Sequence, residues 1–385
     1  MKAYFINHEH EKNVHEILDS SMIFILSKIF DTTEIHMSHG MINCLTPLLH
    51  KLRTHNILFY PTYLYPHKGH IRELIAALYD IRLLLTAENN SVLYFSSINI
   101  FSIHALNILA GLVKSKRIIF NCHSDMELLT EKHLSGTFNI FPRIIRNFFY
   151  KAKIRDNVFF LVLGDNILRN IKCLLPDKQN KNFFSCIHPY YTSCGNDDFD
   201  CEKVEEKSIS IGIVGSVSEE KGIKNIKDFA NAIRNSKKQV KIYFISRIED
   251  SSDIDSVEGL VNLNPENRFI PREDYNAMVK KMDFIYFPYP YGSYSLTASG
   301  AVFEAIINLK PIIAMHNHYF DGLFDKFGCM GILYSSYTEM LDKIDSLTHL
   351  DIALFSENER KATSMLHPSN LYKEFKTILQ QMKII

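Results

Sequence analysis

Between Asp283 and Met315 the sequence DFIYFPYPYGSYSLTASGAVFEAIINLKPIIAM reads as a buried strand, a loop of small residues, a helix carrying one acid at Glu304, and a second buried strand. Helix N-termini offer unpaired N–H groups and a partial positive charge to anions. Parallel sheets gather ligands where strands give way to helices. No bulky aliphatic side chain stands over the backbone from Thr297 to Ala301, so a diphosphate could approach the N–H groups of Thr297, Ala298 and Ser299. Glu304 follows about one helical turn later, where a carboxylate can accept hydrogen bonds from a ribose. The same residues also describe an ordinary strand–helix–strand unit with an N-cap at Ser299.

Three further groups could carry chemistry. The run IVGSVSEEKG places Gly215 and Ser216 at a strand end and Lys221 at the start of the next helix. A glycine there admits a phosphate to the backbone, and a lysine supplies a compact charge. The alternative is a turn and a solvated lysine. The run KRIIFNCHSDMELL sets His123, Asp125 and Glu127 at or just past another strand end. Asp125 or Glu127 could act as a general base for a hydroxyl, or Ser124 or Asp125 could cap a helix. After the first strand, His8, Glu9 and His10 could touch a substrate or cap a turn; the H-x-H spacing lacks further ligands for a metal, and no metal site is expected.

These residues need strands and helices in alternation to position them, and the chain supplies that twice. Apolar runs such as KAYFIN, TEIHM, NILFYP, SVLYFSS, KRIIFNCH, NVFFLVLG and NFFSCIHPY suit strands buried on both faces. Helical patterns from Ile71 to Leu85 and from His104 to Lys114 lie between them. The acidic, aperiodic stretch 192–207 reads as a linker. Alternation then restarts with SISIGIVGSV, a helix from Lys221 to Asn235, VKIYFIS, NRFIP, a helix from Arg272 to Met282, DFIYFP, the Glu304 helix, PIIAM, a helix through YFDGLFDKFG, and GILYSS. Helices from about Thr338 to Leu347 and from Pro368 onward close the chain. The expected organisation is residues 1–191 and 208–365 as two doubly wound α/β domains, with residues 366–385 crossing back onto the first.

Composition narrows the class. The 385 residues are 46% hydrophobic and 22% charged, with zero formal net charge, so no global field favours nucleic acid. The seven cysteines form no CxxC pair and read as free thiols of a reducing compartment. His8 and Glu9 interrupt the first apolar run, and no later run is long enough to span a membrane. A cytoplasmic protein is expected. Residues 142–155, PRIIRNFFYKAKIR, are basic on one side and greasy on the other at helical spacing, which suits either an interfacial membrane helix or a helix packed on its own domain.

The order of these elements from Ser208 to Leu347 resembles the donor domain of the GT-B glycosyltransferases, especially the retaining glycosyltransferase family 4, and most strongly between Asp283 and Tyr334. The resemblance implies two Rossmann-like domains facing a cleft. It implies a nucleotide diphosphate sugar as donor substrate, a glycan or lipid-linked glycan as acceptor, and no cofactor or metal. Gly215, Ser216 and Lys221 would meet the diphosphate, and Pro271 and Arg272 would lie near the nucleobase. Glu304 matches the second glutamate of the family's E-x7-E motif, the one on the ribose. His123 would face the donor sugar.

Two positions depart from the pattern. Leu296 stands where the first glutamate belongs, and no arginine precedes the Lys-Gly pair, although Arg247 could supply a charge from another loop. They suggest a divergent branch of the bacterial surface-polysaccharide kind. The alternatives are a non-hydrolysing nucleotide-sugar epimerase and a catalytically silent sugar-nucleotide-binding subunit.

Overall fold

The computed structural model describes all residues except 11–14, 64–69, 131–139, 192–207, 219–220, 249–253 and 255–256. The expected linker lies outside the described residues. The chain divides into two compact units.

The first unit holds residues 1–193, 296–298 and 366–385. Its elements run β1 (Lys2–Asn7), α1 (Glu16–Ile29), β2 (Thr32–Ser38), α2 (His39–Lys51), β3 (Ile57–Thr62), α3 (His70–Thr86), β4 (Val92–Phe95), α4 (Ile103–Ala110), β5 (Arg117–Cys122), a 3-10 turn (Ser124–Leu129), α5 (Ile140–Lys151), β6 (Val158–Val162), α6 (Asp165–Leu174), α7 (Asp177–Asn180) and β7 (Phe183–Ser185). The seven strands are parallel in the order β3-β2-β1-β4-β5-β6-β7. The chain winds outward from β1, then returns past it to β4, which makes the β1/β4 gap the switch point where a ligand crevice opens. Strands such as VLYF and VFFLV are buried throughout because helices cover both faces.

The second unit holds residues 194–295 and 299–365. Its elements are β8 (Ser208–Ile213), β9 (Ser216–Val217), α8 (Ile223–Ile233), β10 (Gln239–Phe244), β11 (Arg247–Ile248), β12 (Leu260–Asn262), α9 (Arg272–Lys280), β13 (Phe284–Phe287), α10 (Gly300–Ile307), β14 (Ile312–Met315), α11 (His318–Phe327), β15 (Gly331–Tyr334), α12 (Tyr337–Asp345) and α13 (His349–Leu366); α14 (Pro368–Gln381) follows. Six parallel strands take the order β12-β10-β8-β13-β14-β15, with the switch point between β8 and β13. The short strands β9 and β11 pair beyond the ends of β8 and β10.

α14 packs on α1 of the first unit, with Phe375 and Leu379 buried and Phe375 edge-on to Tyr94 at 6.5 Å. The backbone N–H of Tyr190 donates to the Leu366 carbonyl at 2.9 Å.

One local reading is corrected. NRFIP is not a strand; the strand lies earlier, at Leu260–Asn262. Asn267 takes a left-handed φ of 48° and its side chain brackets the backbone of Ile248, while Pro271 caps α9, so the segment is held as a turn. α2 went unread because Pro47 sits inside it, and α13 because charges cover much of its length.

The helix in residues 142–155 turns its greasy side inward. Ile145, Phe148 and Phe149 belong to the core, leaving Arg143 and Lys151 outside. α5 therefore offers a basic face with its own apolar side already used.

Candidate functional site

In the second unit, four of the candidate residues meet at the switch point. Gly215 has φ +91°, and a Cβ there would stand 3.1 Å from the Cβ of Ala301, so the missing side chain lets the β8 loop lie against α10. The Arg247 N–H donates to the Gly215 carbonyl at 3.0 Å, and Arg247 pairs with Ser216 across the β9–β11 ribbon. Lys221 Nζ donates to Ser216 Oγ at 2.7 Å. The ammonium and the hydroxyl are thus aligned at the mouth of the strand before any ligand arrives.

Gly222 has a different role. Its φ is +88° and a Cβ would fall 1.9 Å from the Pro288 carbonyl oxygen, so glycine is required for α8 to start against the end of β13. Gly222→Ala is expected to lower stability by about 2–4 kcal/mol through strain and backbone overlap, read as a lower midpoint in urea unfolding.

A second pair stands on α9 and α10. Arg272 and Glu304 form an ion pair, with the Glu304 side chain buried and Arg272 one-third exposed. Pro271 sets the entry to α9. Burial and the Glu304 charge push the Tyr275 hydroxyl well above its usual range. Ser299 occupies the N-cap of α10 but makes no side-chain cap. Its hydroxyl bonds to Tyr289 Oη at 2.8 Å, and its N–H donates to Tyr319 Oη at 3.0 Å. The Ser299 N–H expected to face a phosphate is therefore held by a phenol. Thr297 and Ala298 belong to the first unit, Ala298 packing against its core. Leu296 joins them, buried in the first unit's core, and its N–H donates to the Glu127 carboxylate at 2.7 Å. A cavity of about 690 Å³ between α11, α12 and α13 contains none of the candidate residues.

In the first unit, His123 and Asp125 lie at the end of β5. His123 is buried, stacks on His15 at 4.5 Å, and takes a hydrogen bond from Asn121 Nδ2 at 2.8 Å on its Nε2. Burial, then the nearby imidazoles of His15, His188 and His10, hold it neutral, well below the usual histidine range. So engaged, the imidazole is held at the strand end as a neutral, polar group. Asp125 differs: burial pushes it up to about 6, with its own backbone N–H opposing that rise.

The residue that sequence reading left undifferentiated is Glu9. Its carboxylate accepts from Ser97 Oγ at 2.6 Å, and burial, reinforced by the charges of Asp125, Asp80 and Glu73, pushes it up to about 8. Two carboxyls in one field, displaced to different pKa values, suit the two halves of proton transfer. Beside them, Ser102 Oγ donates to Asp80 at 2.9 Å and Asp80 holds His8 Nδ1 at 2.7 Å. His8 Nε2 is buried with no hydrogen-bond partner among the described residues.

No family model and no curated protein matches the sequence. Solved structures do. The N-terminal domain of trehalose-6-phosphate phosphatase from Candida albicans aligns over 99% of this chain and 96% of its own, with TM-score 0.63 and 10% identity. The catalytic domain of starch synthase IV from Arabidopsis thaliana, bound to ADP and acarbose, aligns over 99% of each chain at TM-score 0.59 and 9% identity. A glycosyltransferase from Rickettsia africae aligns over 99% and 98%, with TM-score 0.59 and 10% identity. The fold is GT-B. At these identities the likeness carries the GT-B fold and no residue roles. The site residues rest on the geometry above.

Proposed function

We propose that this GT-B chain is a glycosyltransferase that moves a sugar from a nucleotide diphosphate donor to a carbohydrate acceptor, with the donor held by the second unit. The observation that carries the reading is the paired arrangement at the second switch point. Lys221 is aligned on Ser216 beside Gly215, and Glu304 is held by Arg272 on the next helices. An ammonium and a close backbone suit a diphosphate, and a fixed carboxylate suits ribose hydroxyls. The starch synthase structure of the same fold carries ADP and acarbose, a nucleoside diphosphate and a carbohydrate.

Transfer leaves negative charge on the departing diphosphate, and Lys221 with Arg247 would stabilise it without a metal. On the acceptor side Asp125 is the candidate base, with Glu9 protonated beside it at neutral pH. A lipid-linked acceptor and a place in bacterial surface-polysaccharide synthesis, at the inner face of the plasma membrane, complete the proposal.

The test is a thermal-shift screen against UDP, GDP, TDP and CMP sugars, followed by assay of donor hydrolysis. One nucleotide diphosphate sugar is expected to raise the melting temperature, because a ligand that binds only the folded state stabilises it. No shift with any of them at millimolar concentration sinks the reading.

A further inference from the structure

The first unit carries α3, α4 and α5 side by side. The chain passes from β3 to β4, β5 and β6, and right-handed crossovers put these helices on one face of the sheet. α3 touches α4, and His104 of α4 meets Phe148 of α5 edge-on at 5.0 Å. Asn107 of α4 donates to the Lys153 carbonyl at 3.1 Å and accepts from the Arg155 N–H at 3.0 Å.

α3 is apolar on two sides. Ala76, Ala77 and Leu84 are buried. Ile71, Leu74, Leu78 and Leu85 point outward at 60%, 50%, 60% and 52% exposure, spaced as one helical stripe. Ile108 on α4 and Leu112 just after it extend the stripe, at 62% and 78% exposure. Solvated proteins rarely leave so continuous an aliphatic surface unless something covers it.

Exposed cations border this surface: Arg82, Lys114, Arg143, Lys151, Lys153 and Arg155. On α5, Arg143, Arg146, Asn147, Tyr150 and Lys151 line a groove of about 360 Å³, with the Arg146 guanidinium 5.0 Å from the centre of the Tyr150 ring. The nearby acid Asp156 is tied to Lys181 at 2.8 Å.

We propose that this face seats on an anionic phospholipid bilayer. The aliphatic side chains of α3 and α4 would enter the acyl boundary while the α5 cations meet lipid phosphates. No helix among the described residues is long and apolar enough to cross a membrane, so the contact is interfacial. Charge selects this occupant over a second copy of the chain, since a two-fold would set the cationic border against itself. The inference does not rest on the transfer reading.

The test is co-sedimentation of the full chain with phosphatidylglycerol–phosphatidylcholine vesicles and with phosphatidylcholine alone. Binding to the anionic vesicles is expected to be at least about tenfold stronger, and to weaken by a similar factor in Leu74→Glu/Leu78→Glu and in Arg143→Glu/Lys151→Glu. Circular dichroism and melting of both variants should match the parent, and Lys221→Ala should bind vesicles as the parent does. Equal binding to both vesicles, no binding, or full binding by both folded variants overturns the proposal. So does a dimer in analytical ultracentrifugation that Leu74→Glu abolishes, without vesicle binding.

Discussion

Asp125→Asn should lower kcat by about 10²–10⁴-fold while leaving the donor's Kd within about twofold, because a positioned base contributes that much and does not hold the nucleotide. The substitution keeps the shape of the 3-10 turn and removes only the group that can take a proton. Burial places Asp125 at about 6, so it is ionised above that pH and the rate should rise with pH through it. Glu9 stands at about 8, so its proton is lost on the alkaline side. If transfer uses both groups, kcat/KM traces a bell with limbs near these values, and Glu9→Gln removes the alkaline limb alone. A rate in Asp125→Asn equal to the parent across the profile would remove Asp125 from the mechanism.

Glu9, with the buried Asp19 of α1 that accepts from Asn7 Nδ2 at 2.7 Å, bears on stability with a definite sign. Glu9 and Asp19 have folded pKa values raised to about 8 and about 7 by burial, so the folded chain holds protons that the unfolded chain has released. Their contribution is whole below the unfolded values and is lost as pH rises through the folded ones. Ionisation of these two groups therefore lowers the melting temperature between about pH 4 and 8, and Glu9→Gln should flatten part of that fall.

Lys221→Ala and Glu304→Gln should each weaken binding of the nucleoside diphosphate by at least about tenfold, about 1.4 kcal/mol. The two act at different ends of the ligand. Lys221 meets phosphate charge, so its loss should also flatten the salt dependence of binding. Glu304→Gln keeps a hydrogen-bonding side chain but deprives Arg272 of this counter-ion, and the guanidinium is one-third exposed, which moderates the cost. Isothermal titration with the diphosphate that the thermal-shift screen selects measures both. Unchanged affinity in both variants would show that the second switch point is not where the donor binds.

Much of the fold was legible in the sequence because strands buried on both faces need uninterrupted apolar runs, and those runs are the plainest signal a chain carries. Nearly every one became a strand. What stayed hidden depended on groups distant in sequence. Gly222 stood in the sequence only as the partner of Lys221 at a helix start, but the Pro288 carbonyl beneath it is what demands glycine. Ser299 looked like a cap with a free N–H, but Tyr289 and Tyr319 occupy it from both sides. Glu9 was one of seven polar residues in a row, and only burial beside Asp80 and Asp125 sets its proton affinity apart. His123 showed the converse. The strand end was readable, while the crowd of imidazoles that keeps it uncharged came from other elements.

The return of α14 to α1 has a consequence for how the protein is made. Ile17, Leu18, Met22 and Ile25 of α1 are buried, and Phe375 and Leu379 belong to α14, which packs on α1 and is translated only after the second unit. During synthesis the first sheet must wait, with one flank uncovered, while the whole of the second unit is translated. Until α14 follows, that flank exposes apolar surface of the kind that makes a partly made chain prone to aggregate.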